Sequence, residues 1–130
     1  MKKVENEVRV YLKERGWNNL RPSDIAKSIS IEAAELLELF QWSDKTIEQV
    51  KADAELFDKL KKELADVFLY AFDMAVLLDL DSKEVVLDKL KLVKQKYPAE
   101  AINKSHKAEG CDPGEDSLYL QIKQKHRQEK

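Results

Sequence analysis

The chain has 130 residues, 43% hydrophobic and 37% charged, with a net charge of −2. That suits one domain around one core, and the interspersed Lys and Glu argue against affinity for a nucleic acid polymer or an acidic membrane. A single cysteine, Cys111, excludes an internal disulfide and fits a reducing, cytoplasmic setting.

Glycine and proline are scarce, at three each, so long helices are expected. In the first stretch, residues 2–15, Val4, Val8, Tyr11 and Leu12 recur at helical spacing and Gly16 can end the helix. No apolar run follows the basic N-terminal residues, so no secretory signal is expected. "WNNLRP" reads as a connector, and a second helix is expected from about Asp24 to Trp42 with Ser23 as N-cap. "SDKT" (43–46) offers a turn and a fresh cap. A long helical stretch is expected over 47–80, broken near Phe57. Asp81 or Ser82 would cap a further helix over 83–97, stopped by Pro98. From Lys104 the chain turns polar, "AEGCDPGEDS" reads as a turn, and the last stretch suits a short peripheral helix. The expected organisation is one all-α, four-helix-bundle-like domain over 1–107 with a tail over 108–130. No uninterrupted apolar stretch approaches the ~18 residues of a membrane span.

Two of these helices carry the same acidic device. At about 100° per residue, Ile25, Ile29, Ala33, Leu36 and Phe40 share one arc, and Glu32 falls inside it. Glu35 sits roughly 60° to one side, near Trp42, and Glu38 lies farther round. On the later helix, Leu60, Leu64, Val67, Ala71, Met74 and Leu78 form the arc. Glu63 falls inside it, and Asp66 is displaced to the same side as Glu35, with Tyr70 one turn on. An isolated E-x-x-E is usually a solvated helix face. Two copies with matching offsets point to four facing carboxylates, which need protonation or a cation. An all-oxygen donor set suits a hard ion, Mg²⁺ or Mn²⁺. The only histidines, His106 and His126, lie late in the chain, which argues against a di-iron bundle.

"SIEAAELLELFQW", "KKELADVFLYAFDMAVLLDLD" and "KLKLVKQKYP" together resemble the MazG-like, all-α nucleoside triphosphate pyrophosphohydrolases, in particular the dCTP-pyrophosphatase branch. The likeness runs from about Tyr11 to Lys107. The family signature, E-E-x-x-E then E-x-x-D, reads I-E-A-A-E and E-L-A-D here, 27 residues apart, with Ile31 in place of the first acid. The resemblance implies Mg²⁺-dependent cleavage of a nucleoside triphosphate, foremost a dNTP, to monophosphate and pyrophosphate, clearing the nucleotide pool. It implies that Glu32, Glu35, Glu63 and Asp66 hold the metal and serve catalysis. Trp17, Trp42 and Tyr70 would line the nucleotide pocket, and Lys89, Lys94 and Lys96 would meet phosphates. It also implies a homodimer or homotetramer. The ordinary reading of the aromatics is core packing, and of the lysines a solvated helix face.

One stretch departs from the pattern. Where the branch often carries a His and a Lys-Asn pair before the acidic helix, this chain reads "WNNLRPSDIA", and Val93 replaces a common Asn. Base preference therefore does not transfer. Competing readings are a catalytically silent helical interaction module and a dUTP-type hydrolase of the same superfamily.

Overall fold

The computed structural model describes residues 1–109 and 117–129, with the side chains of 106–109 and 117 left aside. All regular structure among the described residues is helical: α1 (Lys2–Glu14), α2 (Pro22–Glu38), α3 (Ile47–Ala52), α4 (Ala54–Leu77), α5 (Ser82–Lys96), α6 (Ala99–Glu109) and α7 (Ser117–Gln128). None is long and apolar enough to cross a membrane. By internal contacts the chain forms two units, Met1–Ser82 and Lys83–Lys130.

The first unit is built on α4, against which α1, α2 and α3 pack. Val8 and Leu12 of α1 meet Val76 of α4, with Tyr11, Phe72 and Leu77 around them. Leu12 is 1% exposed. Ile25 buries the first turn of α2, and Val50 buries α3.

Local chemistry sets the boundaries. Gly16, at φ +68, takes the left-handed position after α1. The Gly16 N–H donates to the Lys13 carbonyl, and the Trp17 N–H to the Leu12 carbonyl at 2.9 Å. That double closure is the Schellman arrangement, and it folds Trp17 back onto Tyr11, ring centroids 5.8 Å apart and edge-to-face.

Helix α2 differs from expectation at both ends. Arg21 is its N-cap, without a side-chain capping bond, and Pro22 opens the helix. Proline suits that position because its missing N–H would be an orphan there. The helix ends at Glu38, and the Phe40 and Gln41 N–H groups donate to the carbonyls of Leu37 and Glu38, three residues back. This tightening leaves Trp42 outside the helix.

At Thr46 the expected cap is present as a reciprocal capping box. The Gln49 N–H donates to Thr46 Oγ1, and the Thr46 N–H donates to Gln49 Oε1. The break in the long helical stretch falls at Asp53 and not near Phe57. Asp53 leaves helical geometry and caps α4 by accepting from the Leu56 N–H at 3.0 Å. Lys45 Nζ donates to its other oxygen at 2.7 Å. These hydrogen bonds, led by Lys45, hold the Asp53 carboxyl below its ordinary value.

At the far end of α4, Asp79 adopts φ +52 and the Leu80 N–H closes on Ala75. Glu5 of α1 accepts from the Ser82 N–H at 2.9 Å, within the first unit. In the second unit α5 ends at Lys96, as Pro98 suggested, but Pro98 also opens α6, its carbonyl accepting from the Ile102 N–H. Tyr97 stacks on Tyr119 of α7 at 5.0 Å. The expected turn over 108–117 falls largely on residues 110–116, outside the described residues.

Candidate metal centre and adjoining cavity

The acidic residues of α2 and α4 meet across the contact between those helices. Glu32, Glu63 and Asp66 each offer a carboxylate oxygen, and these oxygens all lie within 4.8 Å of one another. Glu32 and Glu63 are half-buried. The three-residue step from Glu63 to Asp66 puts both on one face of α4, and Glu32 approaches from α2. Desolvation first, then the charges of Glu35, Asp66 and Glu63, raise the Glu32 carboxyl above its ordinary value. A group so placed prefers a proton or a cation to remaining a bare anion. Three carboxylates without His or Cys fit a hard divalent ion. Glu35 stands just outside the trio, exposed, yet close enough for its charge to act on Glu32. Glu38 is exposed, on the outer side of α2.

A cavity of about 520 Å³ adjoins this group, with Glu32 and Asp66 in its wall. Tyr11, Trp17 and Leu20 supply an apolar side, and Tyr70 and Asp73 continue the α4 face that begins at Asp66. The volume is in the range of small-molecule sites.

Of the aromatic residues singled out from the sequence, Trp17 and Tyr70 therefore share one cavity with two of the acids. Trp42 does not: it is 91% exposed, beyond the end of α2. Lys89, Lys94 and Lys96 all lie on α5 in the second unit. Lys89 and Lys96 face a cleft shared with Lys123 and Arg127 of α7, and Lys94 lies beside Asp88 and Lys91. Lys27 is exposed, 3.6 Å from Asp24.

Sequence reasoning missed Tyr11 and Asp73. Asp73 follows Asp66 by seven residues and Tyr70 by three, so it falls on the same face of α4. Extending the E-x-x-D pattern by two turns would have found it.

An all-helical fold with an acidic trio that could hold a metal ion, beside an aromatic-walled cavity, defines the class of protein, and comparison narrows it. The sequence matches the MazG-like family over residues 27–110. It is 31% identical over 87 residues to dCTP pyrophosphatase 1 of Mus musculus, and 30% identical over 95 residues to that of Rattus norvegicus. Each match covers 65% of this chain and 51% of the relative, so the chain spans about half the length of these curated relatives. The fold is similar to a crystal structure of a pyrophosphatase from Archaeoglobus fulgidus, with TM-score 0.66 and 32% identity, over 75% of this chain and 92% of that one. The chain belongs to the MazG-like family.

Proposed function

We propose that this protein is a divalent-metal-dependent nucleoside triphosphate pyrophosphohydrolase that acts on deoxynucleotides and clears them from the pool. The observation that carries this reading is the convergence of Glu32, Glu63 and Asp66, two of which, Glu32 and Asp66, stand in the wall of a cavity whose other side is aromatic. The names of the mouse, rat and archaeal relatives support the same chemistry.

In this reading Glu32, Glu63 and Asp66 hold Mg²⁺, with Mn²⁺ as a substitute, and Glu35 joins them from the rim by side-chain rotation. The ion would screen the triphosphate charge and orient the α-phosphate. Water adds to the α-phosphorus, the bridging bond to the β-phosphate breaks, and pyrophosphate leaves with that bond's electrons. One carboxylate of the set takes the proton from water. Trp17 and Tyr70 offer aromatic faces to the base and sugar, a contact worth about 1–3 kcal/mol per stacked base. Contacts from Trp42, Lys89, Lys94 and Lys96 to the nucleotide belong to the same proposal. So does assembly as a homodimer or homotetramer. Phe57, Leu64 and Phe68 recur along one face of α4 and are exposed, as are Val85, Val86, Leu90 and Leu92 of α5. Apolar faces of this extent are buried more completely in a symmetric pair.

The test is a panel of ribo- and deoxynucleoside triphosphates incubated with Mg²⁺ or with chelator. Monophosphate and pyrophosphate, formed only with metal, are expected. Diphosphate and orthophosphate as products, or no turnover by folded protein, would overturn the assignment.

A further inference from the structure

Asp73 is the one charged-type side chain among the described residues that is buried, at 4% exposure. Its Oδ1 has no hydrogen-bond partner. It stands in the wall of the cavity that also contains Glu32 and Asp66. A buried carboxyl oxygen without a partner costs roughly 1–3 kcal/mol. A helix that only needed to pack would gain by an apolar residue here, so the orphaned oxygen points to a ligand that satisfies it.

Position identifies the kind of ligand. Asp66, Tyr70 and Asp73 lie along one face of α4, and seven residues advance a helix by about 10 Å. That matches the span from the α-phosphate of a nucleotide to the hydrogen-bonding edge of its base. With the phosphates at Asp66, the sugar passes Tyr70 and the base reaches Asp73 between Tyr11, Trp17 and Leu20. Burial pushes the Asp73 carboxyl up from its ordinary value, which favours the neutral acid, a form that donates through O–H and accepts through C=O. The pairing edge of a nucleobase offers the complement, an N–H donor next to an acceptor. Apart from Glu32 and Asp66, which the hydrolase reading assigns to the metal, no side chain of the cavity duplicates this group: Asp24 is held near Lys27 at 3.6 Å, and Ser28 donates to the Asp24 carbonyl.

We propose that Asp73 recognises the nucleobase, pairing through its carboxyl with the donor–acceptor edge of the base. The inference rests on the hydrolase reading for where the phosphates lie, and makes Asp73 a specificity residue, not a metal ligand.

The test compares wild type, Asp73→Ala and Asp73→Asn on dCTP, dUTP and baseless deoxyribose 5-triphosphate, with melting temperature measured for each. Wild type is expected to prefer the base-bearing substrates. Asp73→Ala should lower that preference, as a ratio of kcat/KM values, by about 10- to 100-fold. It should also raise the melting temperature, because the orphaned oxygen is gone. Asp73→Asn presents the same donor–acceptor pair and should keep the preference within about threefold. An unchanged ratio in folded Asp73→Ala overturns the inference, as does equal loss on all three substrates. A second readout separates it from the hydrolase reading: calorimetric binding of dCMP and dUMP in chelator. If wild type turns over nothing, the hydrolase reading fails, while binding that weakens in Asp73→Ala still supports the assignment of Asp73. Binding indifferent to Asp73 overturns it.

Discussion

Replacing Glu63 with Gln separates a metal-binding acid from a structural one. Glu63 lies with Asp66 and Glu32 inside a 4.8 Å group made of carboxylates. Two unit charges 4.8 Å apart repel by about 0.9 kcal/mol at the dielectric of water and by about 3.5 kcal/mol at an effective dielectric of 20. Glu63 is half-exposed, so the lower end applies to its repulsion with Asp66, and removing the charge should stabilise the metal-free protein by about 1 kcal/mol. For a chain of this size that is a rise in melting temperature of about 3–6 °C. With Mg²⁺ and a non-hydrolysable nucleotide the order should invert. A site filled at 100 times its dissociation constant gains about 2.7 kcal/mol, which wild type would receive and Glu63→Gln would largely lose. Turnover should fall by more than about 100-fold. Thermal scans of both proteins, in chelator and with ligand, give the answer. A Glu63→Gln protein that melts well below wild type in chelator would refute the reasoning, because Glu63 would then be a paired structural acid.

Other expectations follow from particular residues. Gly16→Ala places a side chain at φ +68 in open space, so its cost is conformational, about 1 kcal/mol; it should also raise KM, read in steady-state kinetics, by loosening the turn that holds Trp17 against Tyr11. The Asp73 and Glu32 carboxyls are both raised from ordinary values of 3.8 and 4.5, so their contribution to stability is complete below those values and is lost as pH rises through the higher folded-state values. Metal-free wild type should thus lose denaturant stability on going from about pH 4 toward neutrality, and Asp73→Asn should flatten the slope. Phe68 is 55% exposed on the apolar face of α4; Phe68→Glu should shift sedimentation toward monomer with the helical circular dichroism retained, and an unchanged distribution would move the interface elsewhere.

Most of what positions the site can be read from residue spacing. Glu32, Glu63 and Asp66 come together because the same apolar arcs that pack α2 on α4 carry them inward. A cap within "SDKT" (43–46) was legible because its hydrogen bonds are local, complete within four residues at Thr46–Gln49. The break at Asp53 was not, because its cap is reinforced by Lys45, eight residues earlier in the chain. Trp42 was expected beside the acids as part of a continuing helix; the tightened last turn of α2 takes it away, and helix ends of this kind depend on backbone bonds that side-chain periodicity does not report. Leu64 and Leu78 were assigned to the buried arc of α4, yet they are exposed while Asp73 is buried. An idealised wheel weights every apolar residue equally, whereas α1 draws the Phe72–Asp73–Val76 side of α4 inward. That rotation hid the one buried acid of the cavity from a reading by hydrophobicity.

The central claim is that Glu32, Glu63 and Asp66 jointly hold the metal that serves the reaction. The most direct measurement is a crystal structure of the protein with Mn²⁺ and a non-hydrolysable deoxynucleoside triphosphate, with anomalous scattering used to locate the ion. The account predicts a manganese peak coordinated by oxygens of all three carboxylates, at about 2.0–2.3 Å, and by phosphate oxygens of the nucleotide. Nucleotide bound elsewhere, or a saturated crystal with no anomalous peak between these residues, would contradict it.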